Sequence, residues 1–203
     1  MKRIYTIVAA VLCLLTSCEK EDEPTPTKLY TLDVPAAVNL IDKTPADVRE
    51  LYKGDFVSET NTLGVVELTY QLSTEKTKYQ VIFKANTSGI INYIKILAPL
   101  NMPYSDAVTY YKSETDKCQN SYPNKFYIGQ RYHNDSSSRY ENRSEFWNYM
   151  ANNPISGSDY LTEKWLLING EEINNKLTYL TLTTTYFPSP NGIAMEVEKS
   201  EYS

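Results

Sequence analysis

The side chains that could do acid–base, nucleophilic or metal chemistry are few in this chain. Only one of its 203 residues is a histidine, His133, so a two-His metal site is excluded and any His-dependent triad would have to use it. Ser136, Ser137 and Ser138 follow closely, but the G-x-S-x-G nucleophile elbow is missing. Glycine-rich phosphate loops and the acidic Ca²⁺ loop are missing as well. The sequence therefore predicts no metal site and no cofactor.

Paired carboxylates are the remaining route to hydrolysis, and their spacing is unfavourable. Glu171 and Glu172 are adjacent, so on a strand they would point to opposite faces. Glu196 and Glu198 would share one face, but at a solvated edge. Glycosidase chemistry needs two carboxyls about 5 to 9 Å apart, one of them with a raised pKa. We therefore expect no catalytic residues; an enzyme would require a buried carboxylate pair or a contact network around His133 in a pocket.

The first 17 residues have the layout of a secretory signal peptide. A basic start precedes an uncharged apolar run from Ile4 to Leu15, which is too short to span a bilayer. The run ends in Leu15-Thr16-Ser17-Cys18, which resembles the bacterial lipobox, in which the cysteine becomes the lipidated first residue of the mature protein. The resemblance implies that Cys18 carries the lipid and that residues 1–17 are removed.

An acidic segment that contains proline follows the lipobox. Glu19-Lys20-Glu21-Asp22-Glu23 resembles the surface-export signal of Bacteroidota-type lipoproteins, which implies display on the outer face of the outer membrane. The alternative is a plain solvated tether, because like charges repel and Pro24 and Pro26 stiffen the chain. We expect residues 18–35 to form a tether and the protein to be held in the outer membrane by its lipid, with the folded part outside the cell.

The mature chain is acidic, which argues against nucleic acid as a partner. Removing residues 1–17 moves the net charge from −5 to −7, and no basic block remains to neutralise phosphates. The membrane contact is then the lipid. Cys118 is left without a possible disulfide partner. On a helical face with Val108, Tyr111 and Thr115, it is expected to be a small core residue.

Helix signals and strand periods alternate along the mature chain. Thr44-Pro45-Ala46-Asp47 is typical of a helix start. A second helix is predicted from Ser105, as its cap, to Cys118, and a third begins at Ser144. Alternating apolar residues predict antiparallel strands between residues 66 and 97 and again after residue 160. Asn169-Gly170 predicts a tight hairpin turn.

The predicted fold is α+β, with two similar units that each consist of a helix and an antiparallel sheet. Thr44 precedes the turn at Gly89-Ile90 by 45 residues, and Ser144 precedes the turn at Gly192-Ile193 by 48. This layout resembles the tandem helix-plus-sheet architecture of the beta-lactamase-inhibitor-protein and outer-membrane-assembly-lipoprotein (BamE-like) group. The resemblance implies a duplicated arrangement and no particular binding residues. The predicted units are 36–103 and 104–203, packed as one globular body.

Residues 130–143 are the best candidate for a ligand-binding loop. They contain almost no apolar side chain except tyrosine, and long loops without secondary structure are usually functional or disordered. Their arginine, tyrosine and histidine side chains could form a polar surface for stacking; the alternative is a solvated loop. Trp147 and Trp165 could stack on sugars, although core packing is favoured for each. The candidate ligand-binding residues are Arg131, Tyr132, His133, Arg139, Tyr140 and Trp147.

Two functions compete on these observations. The first is a lipid-anchored, non-catalytic cell-surface protein that captures a glycan or peptide for uptake through the outer membrane. The 18 tyrosines, against 5 Phe and 2 Trp, supply rings for such binding. The second is an assembly or inhibitory protein that docks on a protein partner through a sheet face. A glycan binder should expose a cleft with Tyr or Trp rings, whereas a docking protein should show a broad, flat apolar and aromatic face.

Overall fold

The computed structural model describes residues 34–73, 78–133, 136–173, 176–188 and 191–202. The predicted signal peptide, Cys18 and nearly all of the predicted tether therefore lie outside the described residues. The helices are α1 (Val34–Val38), α2 (Pro45–Leu51), α3 (Tyr104–Ser121) and α4 (Arg143–Asn152). The strands are β1 (Phe56–Thr62), β2 (Val65–Ser73), β3 (Lys78–Ala85), β4 (Ile91–Pro99), β5 (Phe126–His133), β6 (Ser136–Tyr140), β7 (Asp159–Ile173), β8 (Lys176–Pro188) and β9 (Asn191–Tyr202).

The strands of the described part of the chain form one antiparallel sheet in the order β1-β2-β3-β4-β9-β8-β7-β5-β6. Its two halves are joined by β4 and β9, which pair from Tyr93 opposite Glu198 to Pro99 opposite Gly192. The α+β prediction of two helix-plus-sheet units is therefore wrong, because one continuous sheet makes the fold predominantly β. Periodicity indicates which face of a strand is buried but not which strand lies beside it.

The helices of the described residues pack on one face of this sheet, which we call the covered face. The ring of Tyr52, just after α2, lies 5.2 Å from that of Tyr70 on β2. Tyr111 of α3 donates a hydrogen bond of 3.1 Å to the backbone oxygen of Thr184 on β8. Alternate strand residues on this face form a single hydrophobic core with the helices. The opposite, open face carries no helix among the described residues.

Helix starts follow the predicted signals in part. Thr44 accepts from the backbone of Asp47, whose carboxylate accepts from the Thr44 backbone N–H at 2.8 Å, so the expected capping box of α2 is confirmed. The cap predicted for α3 is wrong, because that helix starts at Tyr104 and Ser105 lies inside it. Asn142 caps α4 by accepting from two backbone N–H groups of its first turn.

The loop expected at residues 130–143 is also absent, because the chain there forms β5, β6 and the start of α4. Alternate residues of β5 face α4, among them Gly129, where an added Cβ would lie 2.7 Å from Cγ of Phe146. The next inward position is Arg131, which is buried although it is charged. Beyond Tyr127, the inward residues of β5 are glycine and arginine, which give no hydrophobic alternation, so the polar composition there indicated a loop.

Two further differences between the structure and the sequence-based prediction arise within single strands. All seven residues of β1 are exposed, so the strand lacks the alternation by which strands are predicted. The hairpin expected at Asn169-Gly170 is wrong, because β7 continues to Ile173 and the β7–β8 register shifts between Asn169 and Ile173. The dipeptide therefore lies at an irregularity within the ladder rather than at its turn.

Two packing predictions are confirmed. Cys118 and Trp165 are both fully buried in the core. The Trp165 indole N–H donates to the side-chain oxygen of Gln119 on α3, at 3.2 Å, which satisfies its one polar atom. Within the described ranges, no helix has the length and hydropathy needed to cross a membrane.

Candidate functional site

Arg131, predicted as a ligand-binding residue, is engaged inside the protein. Its Nη2 lies 2.7 Å from Oδ2 of Asp159 on β7, and its Nη1 donates at 2.6 Å to the backbone oxygen of Asn153. The guanidinium also lies over the ring of Tyr149 on α4, 5.9 Å from its centroid. These contacts tie the end of α4 to β5 and β7, so Arg131 is a positioning residue.

His133 lies beside the same carboxylate. Its Nδ1 contacts Oδ1 of Asp159, while the imidazole remains half exposed. Asp159 itself is fully buried and also accepts from the backbone N–H of Ser156 at 2.6 Å. Burial alone would raise the pKa of Asp159, but the hydrogen bonds from Ser156, His133 and Arg131 lower it below its ordinary value. The charged Asp159 carboxylate therefore links β7 to Arg131 and His133 of β5.

The remaining residues predicted in this region do not converge on one place. Tyr132 is exposed on the open face, opposite Tyr160 of β7, which is also exposed. Arg139 pairs with Glu141 at 3.2 Å on the surface. The Tyr140 ring packs against that of Tyr149, 5.2 Å away. The predicted ligand-binding residues of the β5–β6 hairpin therefore lie on both faces of the sheet, and none of them lines a cavity described below.

Trp147 is half-buried on α4 and belongs to a second charged network. Its indole N–H donates to Oε2 of Glu163 on β7, at 3.4 Å. The same oxygen accepts from the Tyr127 hydroxyl at 2.9 Å and from Nε of Arg143 at 2.8 Å. Arg143 extends the network to Asp116 on α3, 2.7 Å from its Nη1. One guanidinium thus links two carboxylates across three elements.

Glu163 is the most deeply buried carboxylate of this network, with no side-chain exposure. Burial raises its pKa above the ordinary value, although the Arg143 guanidinium opposes that rise. A raised pKa is what a general acid would need, but Glu163 lines none of the three cavities described below. The arrangement therefore holds α3 and α4 on the sheet, with no access for a substrate. Metal ligation has no candidate either, since no cluster of three or more His, Cys, Asp or Glu side chains occurs in the described ranges.

The site with the best geometry for a ligand is a cavity beside α2 and β1, which we call the β1 pocket. Its volume is about 410 Å³, within the range of small-ligand sites. The rings of Tyr52, Phe56 and Tyr70 lie together in it, with centroids 5.2 and 5.8 Å apart along the row. Phe56 is half exposed at the mouth, whereas the two tyrosines are buried. The pocket therefore has an aromatic floor and an open entrance.

The charged wall of the β1 pocket is an ion pair. Arg49 donates from Nη2 to Oε1 of Glu59 at 2.6 Å and from Nε to Oε2 at 3.1 Å, a bidentate arrangement. The β1–β2 register shifts between Phe56 and Ser58. This bulge at Val57 lets Phe56 and Glu59, three residues apart, flank the same pocket. The charges of Arg49 and Glu59 cancel each other, and the lining also contains the exposed Lys53 ammonium.

The Tyr70 hydroxyl is the unusual atom of this pocket. Tyr70 is 1% exposed, and its hydroxyl has no hydrogen-bond partner among the described residues. Burial raises its pKa, with Arg49 opposing and Glu59 adding to the shift, which places the hydroxyl near that ion pair. A buried polar atom without a partner costs about 1–3 kcal/mol. Because the hydroxyl has almost no exposed surface, a ligand would recover that free energy by displacing the side chains that cover it.

The strand beside the pocket has a free edge. Within the described residues, β1 pairs only with β2, so its outer N–H and C=O groups have no strand partner. Large apolar residues are exposed along it and its turn: Phe56 at 51%, Val57 at 54% and Leu63 at 94%. An exposed edge of this kind is a template for another strand.

Sequence reasoning missed this site because its parts give no joint signal. Phe56, Glu59 and Arg49 are polar or aromatic residues of ordinary spacing, and β1 itself has no period. One signal could have contributed: the Phe56-Val57 pair, a few residues after α2 ends, is more apolar than a surface turn requires. No protein-family model matches this chain, and no curated protein or solved structure matches it either.

Proposed function

We propose that the protein is a lipid-anchored binding protein of the outer face of the outer membrane, and that it captures an extended peptide at β1 and the β1 pocket. The lipobox at Cys18 and the acidic run behind it support the anchor. The observation that carries the binding role is a free strand edge next to an aromatic pocket with an unpartnered buried hydroxyl. The protein is non-catalytic in this proposal and presents its ligand to an uptake system.

The peptide would bind as a tenth strand. In strand addition, main-chain hydrogen bonds to the free edge supply affinity, and a pocket for one side chain supplies specificity. The β1 pocket favours an anchor with a flat apolar body, since three rings form its floor. The Tyr70 hydroxyl favours one hydrogen-bonding group on that anchor, and the neutral Arg49–Glu59 wall disfavours a charge. A tyrosine side chain meets all three conditions.

Docking through the sheet face is the second candidate, and the open face argues against it. Its central strands, β4 and β9, carry an ion pair of 2.6 Å between Lys95 and Glu196, and β3 and β2 carry another of 3.0 Å between Lys84 and Glu67. On β8, the middle open-face positions are Thr181, Thr183 and Thr185, with Tyr179 and Phe187 towards its two ends. A docking surface of standard kind has an apolar, aromatic centre and few charges there. The open face is polar at its centre, so binding at β1 and the β1 pocket is favoured over docking through the sheet face.

Strand addition predicts a specific dependence on backbone N–H groups. A fluorescent heptapeptide of alternating threonine and valine, with tyrosine at its centre, should bind the full chain in detergent, as followed by fluorescence anisotropy. Only one edge of an added strand faces β1, and alternate N–H groups point to the same edge. Methylating one alternate set of its backbone nitrogens should therefore abolish binding, while methylating the other set should leave it intact. Equal effects of both sets would contradict strand addition.

The pocket part of the proposal is tested by removing one oxygen atom. Tyr70→Phe should weaken binding of the tyrosine peptide about three- to tenfold, because one hydrogen bond contributes about 0.5–1.5 kcal/mol. The same variant should leave the free protein as stable or more stable, since it removes a buried unpartnered hydroxyl. Tyr186→Phe is the matched control: its buried hydroxyl also has no described partner, but it lies outside the β1 pocket. Equal weakening by both variants would count against the pocket.

The anchor is tested by metabolic labelling in a bacterial host. Cys18→Ala should abolish incorporation of an alkyne-tagged palmitate, because it removes the thiol that the lipobox presents. Cys118→Ala should leave labelling intact, because that thiol is buried in the core. Protease treatment of intact cells should then degrade the labelled wild-type protein. Labelling that survives Cys18→Ala would refute the lipid anchor without affecting the β1 site.

A further inference from the structure

A second, more polar cleft lies at the turn between β3 and β4, next to the start of β2 at Val65. It consists of two adjoining cavities of about 550 and 400 Å³ that share Asn86, Asn92 and Glu198 in their walls. Tyr93 lines the smaller cavity and Ser200 the larger one. We call this combined depression the hairpin cleft. It is larger than the β1 pocket and shares no residue with it.

A β-bulge builds the hairpin cleft. Lys84 lies opposite Tyr93, but the next residue of β3, Ala85, lies opposite Ile91. Asn92 is therefore the extra residue of β4, and the irregularity allows two consecutive residues, Asn92 and Tyr93, to line the same cleft. In a regular strand these neighbours would point to opposite faces. The bulge thus sets an amide beside an aromatic ring.

Several polar groups in this cleft have no hydrogen-bond partner in the part of the chain that the structure describes. The side chains of Asn92 and Glu198 make no hydrogen bond to any described residue. The Asn86 side chain is engaged only through its oxygen among the described residues: Oδ1 accepts from the backbone N–H groups of Ser88 and Ile90, at 3.0 and 3.2 Å. That orientation fixes the amide and leaves its N–H₂ group for another acceptor. Donors and acceptors of both kinds therefore line one wall of the cleft.

The charges around the cleft are close to balanced. At one end, Nζ of Lys199 pairs with both carboxylate oxygens of Asp42, at 2.7 and 2.8 Å. At the other end, Lys84 pairs with Glu67 at 3.0 Å and lies over the Tyr93 ring. Glu198 is then the one carboxylate of the lining without an ion pair among the described residues. Such a lining does not attract a polyanion, and one carboxylate with two amides is too few ligands for a cation.

We propose that the hairpin cleft binds a neutral oligosaccharide. Sugar hydroxyls both donate and accept, which matches the Asn86, Asn92 and Glu198 groups. The apolar C–H face of a sugar ring packs on an aromatic ring, and Tyr93 supplies a half-buried one whose hydroxyl bonds to Glu196. The two adjoining cavities fit a chain of consecutive sugar units better than a single compact ligand. The site is independent of the β1 pocket, so either can exist without the other.

The test titrates four neutral oligosaccharides, maltohexaose, cellohexaose, xylohexaose and mannohexaose, into the full chain by calorimetry. The detergent is lauryldimethylamine oxide, because alkyl glycosides would compete for the site. We expect at least one of the four to bind, and we expect Asn92→Ala and Glu198→Gln each to weaken that binding at least fivefold. Both variants keep exposed or half-exposed positions and should melt like the wild type.

Two controls keep the test decisive. Asn120→Ala removes an exposed asparagine from α3, outside the cleft, and should leave the affinity unchanged. Tyr70→Phe, in the β1 pocket, should also leave it unchanged, which separates this site from the proposed peptide site. The inference is overturned if none of the four sugars binds, or if Asn120→Ala weakens binding as much as Asn92→Ala does.

Discussion

Replacing Asp159 with asparagine is expected to lower the free energy of unfolding at pH 7 by about 3–5 kcal/mol, the cost of removing one partner from a buried ion pair. Asp159 has no side-chain exposure, and its partner Arg131 has 10%. An amide of the same size cannot balance the Arg131 guanidinium, and an N–H₂ group in the place of Oδ2 would face the donors of both Ser156 and Arg131. Urea denaturation measures the difference.

The pH dependence of the same variant follows from the lowered pKa of Asp159. A carboxylate whose folded pKa lies below its ordinary value, about 4, stabilises the fold above that value and loses the contribution as pH falls through the folded pKa. The deficit of Asp159→Asn should therefore be complete at pH 7 and shrink below about pH 4. Arg139→Ala, which breaks an exposed pair with Glu141, should cost no more than about 0.5 kcal/mol. A deficit below 1 kcal/mol for Asp159→Asn would contradict the buried tie.

The buried Arg131–Asp159 ion pair explains why the sequence was misleading around residues 130–143. Arg131 occupies an inward position of β5 that an apolar residue would normally fill, and it is compensated by Asp159, 28 residues further along the chain. No local pattern links the two. A polar residue at a buried position is visible in sequence only as a break in the hydrophobic period, and such a break predicts a loop. The charged core contacts therefore concealed β5 and β6.

Where packing is local, the sequence was sufficient. The Thr44 capping box lies within four residues, and the burial of Cys118 follows from its neighbours on the same face of α3. The β1 pocket depends instead on α2, β1 and β2 together and on a one-residue bulge at Val57. A bulge moves a side chain to the other face of a strand without changing composition. The pairing of β4 with β9, which merges the two expected units, is likewise a long-range choice that periodicity leaves open.

The second large effect is expected from Arg143→Met. The Arg143 side chain, 14% exposed, contacts Glu163, Asp116 and the Thr115 hydroxyl. Without it, the described residues offer the buried Glu163 charge neutral hydrogen-bond partners such as the Tyr127 hydroxyl and the Trp147 indole. We expect a loss of about 3–5 kcal/mol in the free energy of unfolding at pH 7.5, measured by urea denaturation. Lys112→Met, which removes a half-exposed ion-pair partner of Asp116 that also lies over the Trp147 ring, should cost less than about 1 kcal/mol.

The loss should be smaller at pH 5, and removing the second charge should restore stability. Burial raises the pKa of Glu163, and without Arg143 the rise would be greater. A carboxyl with a raised folded pKa carries no penalty below its ordinary pKa, and its penalty grows as pH rises towards the folded value. Glu163→Gln combined with Arg143→Met should therefore be more stable at pH 7.5 than Arg143→Met alone. If the double variant is no more stable, the cost of Arg143→Met comes from lost packing, and the charge network does not hold α3 and α4 to the sheet.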